Sequence, residues 1–200
     1  MSHFSLVKKG IFKDMKLLKY ALYSFLCFSL LSCSSDDDTP TVNELRYDGE
    51  NFTSPFIDAG NHEAAARFRS AETGPFIGKQ LTAVEVFLYD IPTSIFLNIY
   101  TSGSAAGPDV PLIREEITSG VRANALNRIT LNPPLDITPE LWLSVSWSQN
   151  SNQQVIGCDQ GPANPNGDWI FVSTNQNGWT SLRETNGESV NWNIRGIVSD

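Results

Sequence analysis

The segment 141–147, LWLSVSW, alternates strictly between two kinds of side chain, and this pattern constrains the fold more than any other in the chain. Its odd-numbered positions are all large and apolar, whereas its even-numbered positions carry one Trp and two Ser. A period of two residues is typical of a β-strand that buries one face. The segment therefore predicts a strand with its apolar face in a core and Trp142 on the opposite face.

Similar runs of β-branched and aromatic residues recur along the chain. The candidate strands are residues 61–68, 81–89, 95–100, 110–117, 127–131, 141–147, 155–158, 168–172 and 192–198. Clusters of Gly, Pro, Asn and Asp separate them, and such clusters favour turns. Residues 63–66 read Glu-Ala-Ala-Ala, a helix-forming composition, but we interpret the segment 61–68 as a strand. Many short strands without intervening helices predict an all-β sandwich over residues 44–200.

The first 32 residues have the organisation of a secretory signal peptide. Five of the six Lys residues fall within the first twenty positions, and residues 20–32 then carry no charge. This apolar run is shorter than the roughly 20 residues that span a bilayer, and it fits the core of a signal peptide. Translation is expected to start at Met1 or at Met15, because residues 15–19 alone already form a compact basic region.

The uncharged run ends in Leu30-Leu31-Ser32-Cys33. This motif resembles the bacterial lipobox, in which an apolar residue and a small residue precede an invariant Cys. The resemblance implies that the leader is cut before Cys33, that the Cys33 thiol carries a diacylglycerol and that the new amino terminus is acylated. Several acyl chains would anchor the protein firmly, because each buried CH₂ contributes about 0.8 kcal/mol. The alternative is an ordinary signal peptide in which this Cys is incidental.

An acidic segment follows this Cys. Residues 34–38 read Ser-Ser-Asp-Asp-Asp, and we interpret residues 33–43 as a lipidated Cys and a solvated tether. A Ser and an acidic run directly after the lipidated Cys resemble the export signal of Bacteroidetes-type surface lipoproteins. The resemblance implies display on the outer face of the outer membrane. A plain spacer on a lipoprotein that faces the periplasm is the alternative.

The segment that follows the leader is strongly acidic. Residues 34–200 contain nine basic and 21 acidic residues, a formal charge of −12, compared with −8 for the whole chain. A nucleic-acid binder normally shows a basic patch or stripe, so nucleic acid is not an expected partner. Cys158 and His62 are the sole Cys and His of residues 34–200, which leaves neither a disulfide framework nor a three-histidine metal site. We predict that Cys158 is a buried core residue.

Seven short motifs follow one another along residues 45–200. They are Ala66-Arg67-Phe68, Gly78-Lys79-Gln80-Leu81, Ile99-Tyr100, Leu141-Trp142, Gly157-Cys158-Asp159-Gln160-Gly161-Pro162, Gly167-Asp168-Trp169 and Asn191-Trp192-Asn193-Ile194-Arg195-Gly196. This ordered set resembles a β-sandwich module that recurs in secreted and surface multidomain proteins of Bacteroidetes-type bacteria. The resemblance implies an antiparallel, two-sheet, jelly-roll-like fold and a non-catalytic accessory role in adhesion or ligand binding. It supplies no established ligand or catalytic residue.

All five Trp residues lie beyond the tether. Trp combines a large apolar body with one N–H donor, so it serves both cores and flat binding platforms. Trp142 shares a strand face with two Ser residues and Trp179 lies in an Asn-Gly-rich loop, so both are candidates for exposure. The core is assigned Trp147, Trp169 and Trp192. The candidate ligand-binding residues are Trp142, Trp179, Asn191, Asn193 and Arg195, the last three alternating along the final strand.

The loop 159–168, DQGPANPNGD, is the most polar stretch between strands. Asp159, Asn164, Asn166 and Asp168 offer oxygen ligands of the kind that calcium takes, which makes a structural calcium site one interpretation. The spacing does not match an EF-hand loop, and the turn chemistry of Asn, Pro and Gly explains the composition equally well. No other cofactor is expected.

Three functions fit these features. The leading hypothesis is a non-catalytic surface lipoprotein that binds glycan or another extracellular polymer, and it requires an exposed Trp beside a polar cluster. The first alternative is a protein–protein interaction subunit of an outer-membrane assembly. The second is a polymer hydrolase, which requires a cleft with two carboxylates about 5–10 Å apart.

Overall fold

A computed structural model describes residues 43–174 and 178–199, which belong to one compact unit, Val42–Asp200. The predicted signal peptide, the lipidation site at Cys33 and the acidic tether up to residue 42 lie outside the described residues. Among the helices of the described part, none has the length and apolar character needed to cross a membrane.

Strands dominate the described residues, and they are short. In chain order they are β1 (Glu44–Leu45), β2 (Phe56–Ile57), β3 (Gly60–Phe68), β4 (Gln80–Leu88), β5 (Ser94–Tyr100), β6 (Gly103–Ser104), β7 (Gly107–Pro108), β8 (Ile113–Glu116), β9 (Ala125–Asp136), β10 (Leu141–Gln149), β11 (Gln153–Gln154), β12 (Trp169–Val172), β13 (Trp179–Ser181) and β14 (Ile194–Ser199). The two α-helices are α1 (Ser70–Thr73) and α2 (Leu182–Asn186), and a 3₁₀ turn spans Gly74–Phe76.

Two antiparallel sheets form the domain. One has four strands in the order β1-β14-β4-β9, and the other has six in the order β13-β12-β3-β10-β5-β8. Two small ribbons, β11–β2 and β6–β7, accompany them. The chain passes repeatedly from one sheet to the other, so strands that are neighbours in a sheet are mostly distant in sequence. The predicted all-β, antiparallel two-sheet sandwich of jelly-roll type is confirmed.

The core lies between the inner faces of the two sheets. Gly196 of β14 comes so close to β10 that an added Cβ would lie 2.8 Å from the side chains of Leu143 and Leu81. A larger residue at this position would require both Leu side chains to shift, so glycine favours the close packing of the two sheets there. Trp147 and Trp192 are almost fully buried, as predicted for core residues.

Several strand boundaries differ from the predicted ones. β9 extends over 12 residues and includes Pro133 and Pro134, which an edge strand tolerates because the missing N–H groups face no neighbour. Residues 155–158 form isolated bridges, such as those of Cys158 with Thr53 and Trp192, and no continuous strand. The helix α2 was not predicted from the sequence. It begins at a capping box formed by Ser181 and Glu184.

The strand interpretation of residues 61–68 is confirmed. β3 pairs with both β10 and β12 and is therefore a central strand of the six-stranded sheet. Ala64, Ala65 and Ala66 are fully buried, so both faces of the strand are covered at this point. Tertiary pairing on both sides overrides the weak local preference of the Glu-Ala-Ala-Ala run for a helix.

Candidate functional site

The outer face of the six-stranded sheet carries a groove with a polar floor. Phe171 of β12 lies opposite Glu63 of β3, Glu63 opposite Ser146 of β10, and Ser146 opposite Phe96 of β5. A strand spacing of about 4.8 Å places the two Phe backbones about 14 Å apart across this row. The groove has a volume of about 200 Å³, and both Phe residues line it. Aromatic side chains therefore stand on either side of a carboxylate and a hydroxyl.

Three donors hold the Glu63 carboxylate by one oxygen. Oε1 accepts hydrogen bonds from the hydroxyl of Tyr100 at 2.6 Å, from Nδ2 of Asn98 at 3.0 Å and from the hydroxyl of Ser144. Within residues 43–174 and 178–199, no group donates to Oε2. The carboxylate is fixed in orientation by its neighbours, and its second oxygen is left to accept a hydrogen bond from a ligand.

The supporting donors are themselves buried. Asn98 and Ser144 have no exposed surface and Tyr100 is 5% exposed, so their polar groups depend on these contacts for hydrogen bonding. Burial, and after it the negative charge of Glu63, raises the pKa of the Tyr100 phenol. The phenol consequently keeps its proton at neutral pH and remains a donor to Glu63.

A fixed positive charge lies at the Phe96 side of the groove. The Arg114 guanidinium carbon stands 4.2 Å from the centroid of the Phe96 ring, a cation–π contact. Nη1 of Arg114 donates to Oδ1 of Asn98 at 3.0 Å and to Oγ of Ser146 at 3.4 Å. Asn98 thus bonds both Glu63 and Arg114, and the groove presents a hydrogen-bond acceptor and a cluster of donors side by side.

Trp142 is not an exposed platform, and the sequence prediction for it is wrong. Its side chain has no exposed surface. It packs between the Arg67 guanidinium, 4.8 Å from the ring centroid, and Trp169, 5.1 Å away, while the β6–β7 ribbon covers it at Gly103. Its Nε1 donates to Oε1 of Glu140 at 3.0 Å. The alternation identified the correct face of the strand, but a ribbon from elsewhere in the chain covers that face.

Trp179 is half-buried, with its ring centroid 6.1 Å from that of Phe171 and 6.4 Å from that of Trp142. The predicted exposure is therefore partial, and the residue backs the aromatic side of the groove. Trp169, which was assigned to the core, is also only half-buried. The leading hypothesis required an exposed Trp beside a polar cluster. Trp169 and Trp179 lie on the same sheet face as the cluster around Glu63 but are only half-buried, and no Trp of the described residues is exposed, so the requirement is met only in part.

Asn191, Asn193 and Arg195 do not form a ligand-binding face, which corrects the sequence prediction; the first two precede β14 and only Arg195 belongs to it. Asn191 and Asn193 are 3% and 1% exposed. Nδ2 of Asn191 donates to Asp159 at 3.0 Å, Nδ2 of Asn193 donates to Asp48 at 2.6 Å, and Nε of Arg195 donates to the same Asp48 oxygen at 2.8 Å. These side chains tie the first described segment and the loop 159–168 to the last strand.

Three of the four predicted calcium ligands, Asp159, Asn164 and Asp168, use their side-chain oxygens within the protein. The Asp159 carboxylate accepts three backbone N–H bonds of 2.7–3.0 Å, and Asp168 forms an ion pair of 2.8 Å with Arg183. Oδ1 of Asn164 accepts the backbone N–H of Asn166 at 2.9 Å. No group of three His, Cys, Asp or Glu residues that could hold a metal ion occurs in the described part of the chain. The geometry favours the turn interpretation over calcium binding.

The hydrogen bonds at Asp159 make stability depend on pH. Burial opposes ionisation of this carboxyl, but the hydrogen bonds from Asn191, Gly49 and Gly161 outweigh it and lower its pKa. The contribution of Asp159 is therefore complete above the ordinary Asp pKa of about 4 and is lost as pH falls through the lower folded value. We expect Asp159→Asn to be less stable than the wild type at neutral pH and to lose less stability on acidification. Urea unfolding at neutral pH and at about pH 3 measures both effects.

The control for this experiment is Asp109→Asn, because Asp109 is exposed. Asp168 acts in the opposite direction, since burial raises its pKa even though Arg183 partly offsets the effect. Acidification therefore relieves an unfavourable contribution at Asp168 while it removes a favourable one at Asp159. An Asp159→Asn variant that loses as much stability on acidification as the control would refute the assignment.

The single thiol and the single imidazole of residues 34–200 are both buried. Cys158 is fully buried, as predicted, and burial followed by the charges of Glu188 and Asp159 raises the pKa of its thiol to about 12. His62 is also buried, and its Nε2 lies 2.9 Å from the carbonyl oxygen of Asp58. A nucleophilic thiol needs an exposed, electropositive setting, which is the reverse of this one.

The residues that build the groove were not identified from the sequence. Asn98 gave a usable signal, because it interrupts the otherwise apolar run of β5, SIFLNIY. Glu63 gave a second signal, because it is a charged residue within β3 and lies on the opposite face of the strand from the buried Ala64. The sequence does not show that these two positions and Arg114 meet, because that depends on the pairing of four strands.

No protein-family model and no curated protein matches the chain. Two solved structures resemble it. One is a clostridial cysteine protease, Cwp84, after propeptide cleavage, with a TM-score of 0.56 and 12% identity over 78% of this chain and 40% of that chain. The other contains the cysteine protease and lectin-like domains of Cwp84, a surface-layer-associated protein of Clostridium difficile, with a TM-score of 0.52 and 12% identity over 78% of this chain and 37% of that chain.

The likeness to Cwp84 shows the fold alone. The chain spans about two fifths of the length of the chains it matches, and the matched portion is the lectin-like one.

Proposed function

We propose that this protein is a surface-displayed, non-catalytic module that binds glycan or another extracellular polymer in the groove between Phe96 and Phe171. The observation that carries this proposal is the oriented Glu63 carboxylate, whose Oε1 is held by three donors while Oε2 is left for a ligand. The likeness to the lectin-like portion of a surface-associated protein supports a binding role at a cell surface.

The side chains of the groove are chemically complementary to a sugar ring. A pyranose ring offers apolar C–H faces to aromatic side chains and hydroxyl groups to polar ones, and Phe171 stands beside the polar floor that Glu63 and Ser146 form. The groove is small and shallow, so we expect a single site to bind weakly. Many copies on one membrane would raise the overall affinity through avidity.

The groove offers one carboxylate and not two. Among the described residues, Glu63 is the only carboxylate that lines it. A glycosidase needs two carboxylates about 5–10 Å apart. Binding is therefore favoured over the polymer hydrolase.

We propose further that Cys33 is lipidated and that the domain stands on the outer face of the outer membrane. The Leu30-Leu31-Ser32-Cys33 motif and the acidic run after it support this proposal. The strongly negative charge of residues 34–200 is compatible with an acidic tether that keeps the domain soluble above the membrane.

Binding is tested with a glycan array on the full chain in mild detergent. We expect the wild type to bind at least one class of polysaccharide. Phe171→Ala should weaken that binding about fivefold to tenfold, because it removes one aromatic side of the groove. Leu126→Ala is the control, since Leu126 is 43% exposed on the edge strand of the other sheet. Absence of binding to every glycan would refute the proposal and place a protein partner ahead of it.

A further inference from the structure

We infer that the groove selects neutral glycans and rejects acidic ones, with Glu63 as the residue that decides between them. This inference rests on the proposed function, because it concerns the same groove. It goes further by naming the class of ligand and the side chain that recognises it.

Glu63 requires a hydrogen-bond donor from the ligand. A carboxylate oxygen only accepts, and within the described residues Oε2 accepts no hydrogen bond, whereas Oε1 accepts three. Arg114 requires the reverse, because a guanidinium only donates. A sugar hydroxyl both donates and accepts. Neighbouring hydroxyls on one ring therefore satisfy both sides of the groove without bringing a charge.

An acidic sugar meets repulsion at the same place. Its carboxylate would come within hydrogen-bonding distance of Oε2 of Glu63. Two like charges that close repel strongly in a partly desolvated site. Arg114 offsets this repulsion only in part, because its guanidinium stacks on Phe96 and its Nη1 already donates to Asn98 and Ser146. Glu116 on β8 and the overall negative charge of the domain add repulsion at longer range.

The test uses pairs of polysaccharides that differ only in charge. The probes are α-mannan, β-glucan and galactan, each compared with a derivative whose C6 hydroxyls are partly oxidised to carboxylates. We expect the full chain to bind at least one neutral polymer and to have an affinity for the oxidised derivative of that polymer that is at least about tenfold lower. Oxidised derivatives that bind as well as or better than their parents would overturn the inference and leave the proposed function intact.

Glu63→Gln tests the residue. The amide oxygen can still accept the three internal hydrogen bonds, but the amide nitrogen replaces Oε2 and donates where the ligand must donate. We expect neutral binding to fall about tenfold or more and the gap between neutral and oxidised polymers to narrow. Glu85→Gln is the matched control, because Glu85 lies on the other sheet in a 3.1 Å ion pair with Arg128.

The outcomes separate the two claims. If no neutral and no oxidised polymer binds the wild type, the proposed function fails and this inference fails with it. Neutral binding that persists unchanged in a folded Glu63→Gln would overturn the role of Glu63. If Glu63→Gln does not fold, as judged by its thermal melt, the comparison of neutral and oxidised polymers on the wild type decides the selectivity alone.

Discussion

Replacement of Asp159 by alanine is expected to lower the free energy of unfolding by about 3–5 kcal/mol, because it removes the acceptor of four buried or partly buried hydrogen bonds at once. The side chain is 6% exposed, and its two oxygens accept hydrogen bonds from Gly49, Gly161 and both the backbone and the side chain of Asn191. These donors come from three separate segments of the chain. Without the carboxylate, the backbone N–H of Asn191 would be buried without a partner, and the connection between the first and last described segments would loosen.

Chemical denaturation of the purified protein measures this loss. Asp109→Ala is the control, since Asp109 is exposed and such surface changes usually alter stability by less than about 0.5 kcal/mol. A loss at Asp159 as small as that of the control would show that the carboxylate does not organise these segments.

Trp142→Ala is expected to cost about 3–5 kcal/mol of stability, which is the range for a large aromatic side chain removed from a core. The indole is fully buried against Arg67 and Trp169, and the β6–β7 ribbon closes over it. Its removal would leave a cavity and also the Glu140 carboxylate without the Nε1 donor.

The comparison variant is Trp179→Ala, because Trp179 is only half-buried and its removal should cost clearly less stability. Thermal unfolding of both variants beside the wild type supplies the test. A Trp142→Ala protein that melts like the wild type but no longer binds glycan would contradict the structural role and restore the original interpretation of this residue as a binding platform.

Period-two patterning predicted the faces of the strands but not what lies over them. The alternation in residues 141–147 placed Trp147 in the core and Trp142 on the other face, and both assignments hold. The cover over Trp142 comes from residues 103–108, about 40 positions earlier in the chain. Local sequence carries no information about that contact, so the prediction of exposure was wrong.

The polar residues of the last strand show the same limit. Asn193 and Arg195 alternate as an exposed face would, yet both bond Asp48, which precedes them by about 145 residues. In this domain the polar side chains of one outer face are used for internal bonding, and those of the other line a groove. Which of these two uses a polar side chain has depends on the residues that the fold brings next to it. Glu63 can be recognised as a site residue only because the structure places Asn98 and Tyr100 beside it.

The claim that the groove binds a polysaccharide is tested most directly by filling the groove with a larger side chain. The measurement is retention of the full-length variant on an immobilised neutral polysaccharide. Ser148 lines the groove, so Ser148→Trp places an indole in it, while Thr130→Trp adds the same side chain to an exposed position of the other sheet. Both variants are first shown to melt like the wild type. We predict that Ser148→Trp loses retention and that Thr130→Trp keeps it; equal retention of the two variants would contradict binding in this groove.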